Sequence, residues 1–156
     1  MKQMKKVLKL FFVSILSLLI FSISYSEENY REEMVKLVNT EREKSNLPPL
    51  ILDEKLNKIA EDKVALLIKE GKLNHLAGGY KSFGEFLQKY DISYSLAGEN
   101  IAKKTKTSME SHKLWMSSNG HRANILNKGF TNIGIAKNVD KNGDIYWVEI
   151  FINPEK

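Results

Sequence analysis

Tyr30, Met34, Leu37 and Val38 recur at i, i+4, i+7 and i+8, the spacing of one apolar helix face, and predict a helix from about Glu28 to Lys44. Asn46 to Pro49 breaks it, because each proline drives the residue before it out of helical geometry. A second helix opens behind Asp53 as its cap, carries the stripe Leu56, Ile59, Ala60, Val64, Leu67 and Ile68, and closes at Gly71. Ser82-Phe83-Gly84-Glu85 reads as a capping box opening a short helix with Phe83, Phe86, Leu87 and Tyr90 on its apolar side. Ser95 to Ala102 reads as extended, Ser108 to Met116 as helical, and a short helix follows Gly120 around Arg122 to Leu126. Then the period changes. Ile133 to Val139 and Ile145 to Phe151 are β-rich runs joined across Asn142-Gly143, a strong hairpin signal. Helices first and antiparallel strands last predict an α+β domain with helices layered on a small sheet.

The start of the chain follows a different logic. Lys2, Lys5, Lys6 and Lys9 precede an apolar run from Leu10 to Ile23, and Ser24-Tyr25-Ser26 supplies a small-x-small site before Glu27-Glu28. This is the layout of a secretory signal, too short to span a bilayer. It predicts a signal peptide over residues 1–26, cleavage near Ser26, a single domain over 27–156 and a secreted or otherwise extracytoplasmic protein without a membrane span. Retention of the segment as an uncleaved anchor is the alternative. The whole chain has 24 Lys+Arg against 19 Asp+Glu. Removing the four lysines of the signal leaves 20 basic against 19 acidic residues, which argues against a nucleic-acid partner. There is no cysteine, which excludes disulfides, thiolate metal sites, a cysteine nucleophile and lipid attachment through cysteine. An exported domain without disulfides is held by packing and hydrogen bonds, with a metal as an optional addition.

Candidate chemistry is sparse. The chain contains no His-Glu-x-x-His, no Gly-x-Ser-x-Gly and no Gly-x-x-x-x-Gly-Lys. Asp140-x-Asn142 hints at a calcium loop, but Gly143 sits too early and Phe151 stands where the closing glutamate belongs. His112, among Glu110, Ser111 and Lys113, reads as a solvated surface residue. His75 lies in a loop past a helix end, and His121 begins a short helix, whose dipole biases it toward the neutral form that binds metals or accepts protons. Glu99 is a carboxylate among apolar residues at a strand start, and Gly98 beside it allows close backbone approach. On spacing alone, the reading of both histidines as loop hydrogen-bonding residues is favoured, and Glu99 is either a partly buried acid paired with a histidine or metal or a strand-end surface charge.

Gly98-Glu99-Asn100-Ile101-Ala102, the run Trp115 to Asn127 with Gly120-His121-Arg122-x-Asn124-Ile125-Leu126, then Ile133-Gly134-Ile135-Ala136 and Tyr146-Trp147-Val148 closely resemble the CAP superfamily. This is the SCP domain of cysteine-rich secretory proteins, antigen 5 and pathogenesis-related 1 proteins, and the resemblance is closest to short bacterial secreted members. It implies an α-β-α sandwich, a small antiparallel sheet between helical layers, with a cleft lined by His75, Glu99 and His121. It makes His75 and His121 the candidate metal ligands, for weakly bound Zn²⁺ that folding does not require. Many members carry a second glutamate three residues after the helix tryptophan; here Ser118 stands there, which weakens a two-carboxylate mechanism. Two functions follow. One is a non-enzymatic binding module for a lipid, sterol or protein ligand, with Tyr80, Phe83, Phe86, Leu87 and Tyr90 lining an apolar groove unless they are core. The other is a zinc-assisted hydrolase of peptides or cell-envelope material, with Glu99 activating water.

Overall fold

The structure, a computed structural model, describes residues 30–155. The signal segment and the expected helix start at Glu28 lie outside them. Helix α1 covers residues 30–44. There follow β1 (Ile51–Leu52), α2 (Glu54–Glu70), α3 (Phe83–Gln88), β2 (Tyr94–Lys103), α4 (Ser108–Ser117), α5 (Asn119–Ile125), β3 (Asn132–Val139) and β4 (Ile145–Pro154). No described helix is long and apolar enough to cross a membrane.

The caps act as the sequence predicts. Asp53 accepts from the backbone N–H groups of Lys55 and Leu56, and Gly71 ends α2 at φ 70° in the left-handed region. Ser82 accepts from the Glu85 N–H at 3.0 Å, while the Glu85 carboxylate reaches the N–H of Lys81, one residue before the cap itself. The hairpin also forms. Gly143 takes φ 84°, and Asp140 Oδ1 accepts from the N–H groups of Asn142 and Asp144 at 2.8 and 2.9 Å. Lys103 Nζ lies 3.3 Å from Asp144 and 3.9 Å from Asp140. These carboxylates hold a turn.

The four strands order as β1-β3-β4-β2. β2 and β3 pair antiparallel with the central β4, whereas β1 runs parallel to β3 through Ile51 and Leu52. The expected all-antiparallel sheet therefore gains one parallel edge, which two residues cannot announce by periodicity. β4 is buried on both faces. Its Tyr146, Val148, Ile150 and Ile152 pack with Leu56, Ile59, Ala60, Val64 and Leu67 of α2. Trp147 and Phe151 pack on the other face with Met34 and Val38 of α1, Trp115 of α4 and Ile125 of α5. The result is a sheet between two helical layers.

Two expectations change. Phe86 and Leu87 are fully buried, and Tyr80, Phe83 and Tyr90 pack partly buried against the same α2-side core, so this set is core, not an open groove. His112 is 5% exposed. Reading its neighbours in sequence hides the helical face Ser108, Ser111, His112 and Trp115, which turns inward. Burial lowers the His112 pKa, with Glu41 raising and Lys44 lowering it.

A buried cation ties α1 to the far side. The Arg42 guanidinium donates to the carbonyls of Pro48, Ile125, Asn127 and Phe130, and burial lowers its pKa. Gly134 lets α2 lie directly on β3: a Cβ there would stand 2.3 Å from the Leu56 carbonyl carbon. Gly134→Ala is therefore expected to cost about 3 kcal/mol, the upper range of core overpacking. Gly120→Ala, where a Cβ meets nothing within 4 Å in α5, should leave stability unchanged or raise it by up to ~1 kcal/mol. Urea titration of both variants checks this; equal losses would contradict the packing.

Candidate functional site

Glu99 lies on the edge strand β2, paired with Ile150 and pointing to the α2 side, like its neighbours Ala97 and Ile101 two residues away. Its carboxylate is buried. Oε1 lies 2.8 Å from His75 Nδ1 and 3.5 Å from Lys63 Nζ, and Oε2 has no partner among the described residues. Lys63 comes from the inner stripe of α2 and is itself fully buried. Burial lowers its pKa, and Glu99, then more weakly Glu70, push it back up.

His75 sits on the loop between Gly71 and Ser82. Glu70 pins that loop: its carboxylate accepts from Asn74 Nδ2 at 2.9 Å and from the Gly78 N–H at 2.8 Å. These bonds, the Asn74 side chain first, lower the Glu70 pKa. Lys63 Nζ donates to the His75 carbonyl from below, while the His75 ring stays 56% exposed.

His121 arrives from the opposite layer, in the first turn of α5. Asn100 Nδ2 donates to the His121 carbonyl at 3.2 Å and to Glu149 Oε2 at 3.0 Å. Asn124 Nδ2 donates to Asn100 Oδ1 at 2.9 Å and to the Glu99 carbonyl at 3.1 Å. Arg122 closes the α4–α5 turn by donating to the Met116 carbonyl and to Asn119 Oδ1. Gly98 admits the approach of Asn124, since a Cβ there would meet Phe130 at 3.0 Å and Asn124 Oδ1 at 3.2 Å. His121 Nδ1 is buried without a partner among the described residues. Burial lowers the His121 pKa, and the charge of nearby His75 lowers it further; the neutral form expected from the helix dipole is favoured chiefly by burial.

The structure thus joins His75 to Glu99 directly and places His121 within electrostatic reach of His75. Ser118, at the junction of α4 and α5, supplies no carboxylate. Among the described residues, no group of three or more His, Cys, Asp or Glu side chains is placed to hold a metal ion. Zinc sites use three or four protein ligands, so these residues fit a metal only as an incomplete pair of imidazoles, with His121 Nδ1 the unsatisfied atom. Sequence reasoning missed Lys63 and Glu149. Both leave a visible signal: a lysine on the apolar stripe of α2, and an acid inside the apolar run of β4.

The Cysteine-rich secretory protein family model, CAP, matches residues 35–151. The uncharacterized protein YkwD of Bacillus subtilis is 42% identical over 123 residues, covering 79% of this chain and 47% of that protein. The chain therefore spans less than half the length of that relative. An extracellular SCP-domain protein from Bacillus anthracis superposes with a TM-score of 0.72 at 27% identity, over 81% of this chain and 41% of the other. An outer surface protein of Borrelia burgdorferi gives a TM-score of 0.71 over 82% of this chain and 92% of the other. At 22% identity the latter is a likeness of fold.

Glu149 carries the clearest electrostatic signature. It is fully buried, Oε1 lacks a partner among the described residues, and burial pushes its pKa from 4.5 up to about 8, against the Asn100 hydrogen bond. The folded protein keeps a proton there that the unfolded chain releases near pH 4.5. This contribution is full below pH 4.5 and lost as pH rises to about 8. Glu149→Gln keeps an acceptor for Asn100 and removes the titration. Its stability gain over wild type should be near zero at about pH 4.5 and reach a few kcal/mol at about pH 8. Melting curves across that window check it; a gain independent of pH would contradict a buried acid.

Proposed function

Because the chain belongs to the cysteine-rich secretory protein family, CAP, we propose that it is an extracytoplasmic binding module. Its cleft meets a lipid or protein ligand through the imidazoles of His75 and His121 and takes up a divalent metal there. The observation that carries this reading is the His75–Glu99 contact at 2.8 Å through Nδ1, on a ring that stays 56% exposed. Leu73 and Leu76, in the same loop as His75, are 44% and 45% exposed. The extracellular and outer-surface neighbours and the signal-like first 26 residues support the location.

Binding is favoured over hydrolysis by the state of Glu99. Its Oε1 faces both His75 and Lys63, the residue is 7% exposed, and Ser118 stands where a second acid would, so the cleft lacks the pair of carboxylates that acid–base hydrolysis uses. His75 and His121 would hold Zn²⁺, with the ligand or solvent completing its shell and the ion supplying Lewis acidity. The two hydrophobic clusters already build a core, so the apo protein folds.

Zinc at about 100 Kd is expected to add roughly 2.7 kcal/mol. The gain should shrink from about pH 7.5 to about pH 5.5, because an ordinary histidine takes up protons near pH 6.5. His75→Ala with His121→Ala should abolish it. His112→Gln should keep the zinc gain, whatever it does to basal stability. Thermal melts of these proteins with and without zinc at both pH values test the reading; absence of a wild-type shift at the higher pH would remove the metal from it.

A further inference from the structure

Beside its buried stripe of Tyr30, Met34, Val38 and Arg42, α1 carries a polar row. Lys36, Asn39, Thr40 and Glu43 recur at i, i+3, i+4 and i+7, neighbours along one helix face. With Leu47 and Pro49 of the following turn they line a groove of about 550 Å³, within the size range of small-ligand sites. None of these residues belongs to the cleft of His75, Glu99 and His121. The two walls are tied to each other. Asn39 Oδ1 accepts from the Leu50 N–H at 2.8 Å, and its Nδ2 donates to the Leu50 carbonyl at 3.0 Å. Arg42 Nε donates to the Pro48 carbonyl, and the Leu47 N–H donates to the Arg42 carbonyl, both at 2.9 Å. Pro48 and Pro49 restrict the turn further. Charge stands at the two ends. Lys36 and Glu43 are both exposed and lie about 10.5 Å apart along the helix axis. Glu41 takes Lys44 at 2.8 Å, but neither Lys36 nor Glu43 meets an opposite charge among the described residues.

We propose that this groove binds a short extended peptide with both ends free, about three residues long, its carboxylate on Lys36 and its ammonium on Glu43. Three extended residues span about 10 Å, which matches the rise between the two charges. Thr40 Oγ1, midway, donates to the Lys36 carbonyl at 2.8 Å, and its lone pairs remain to accept a peptide N–H. Leu47 and Pro49 offer an apolar wall, so small apolar residues suit the middle of the ligand. The groove is formed before the peptide arrives, and binding therefore costs little ordering of the protein. Exposed ion pairs contribute modestly and are screened by salt. The two charges accordingly set direction and selectivity more than affinity, and the complex is weak and salt-sensitive. This site is independent of the cleft, and neither reading needs the other.

Titration of tri-alanine with free ends into the protein, followed by amide NMR, tests it. Saturable shifts are expected at residues 36–49 and not at His75 or Glu99. Acetylating the peptide's amino end or amidating its carboxyl end should each weaken binding about threefold, and di-alanine, too short to reach both charges, should bind as weakly. Lys36→Glu and Glu43→Lys should each cost at least about fivefold, because an attraction becomes a repulsion. Lys36→Glu combined with Glu43→Lys should restore wild-type affinity, with the peptide running the opposite way. Both positions are exposed, so the variants keep the fold. No binding of tri-alanine up to about 10 mM overturns the proposal. Equal binding of di-alanine or of an end-blocked peptide also overturns it. So do single reversals that bind like wild type, a double reversal no better than the single ones, or shifts confined to the cleft.

Discussion

A carboxylate removed from water needs a cation, and Glu99 finds one in Lys63. This pairing constrains the domain beyond its two partners. Lys63 belongs to the core-facing stripe of α2, Glu99 to the edge strand β2, and the His75 carbonyl to the loop that follows α2. Helix, strand and loop therefore reach one geometry together. Removing either charge leaves the other buried and unanswered, which typically costs about 3–5 kcal/mol, about as much as burying one or two large side chains contributes.

Adjacent residues of β2 point to opposite faces, and this chain uses both. Glu99 serves the α2 side, while Asn100 serves the other, where it holds Glu149, Asn124 and the His121 carbonyl. Two neighbouring residues thereby fix one histidine from each helical layer at the same sheet edge. Arg42 performs a similar task further along, gathering four carbonyls from the α1–β1 and α5–β3 connections. In each case a buried polar group with several backbone or side-chain partners sets the relative position of layers that apolar contacts alone would leave free to slide.

Much of this is legible in the chain. The cap at Asp53, the stop at Gly71 and the Asn142-Gly143 hairpin are local signals, and each acts within a few residues of itself. His112 escapes such a reading because its sequence neighbours are polar, whereas its helical neighbours Ser108 and Trp115 are buried. β1 has two residues, and Ile51 pairs with Asn132, 81 positions away, so no period could reveal it. The cleft is the mixed case. Its three motif residues stand out by resemblance, yet the ammonium that organises them sits on a stripe read for its apolar members. The burial of Glu149 depends on β4 being central, which only the strand order discloses.

Neutron diffraction from a deuterium-exchanged crystal at about pH 7.5 would locate the protons that the cleft depends on. The expected result is three deuterons on Lys63 Nζ, with the ammonium set between Glu99 Oε1 and the His75 carbonyl. A Lys63 Nζ carrying only two deuterons, or one turned away from both oxygens, would contradict it.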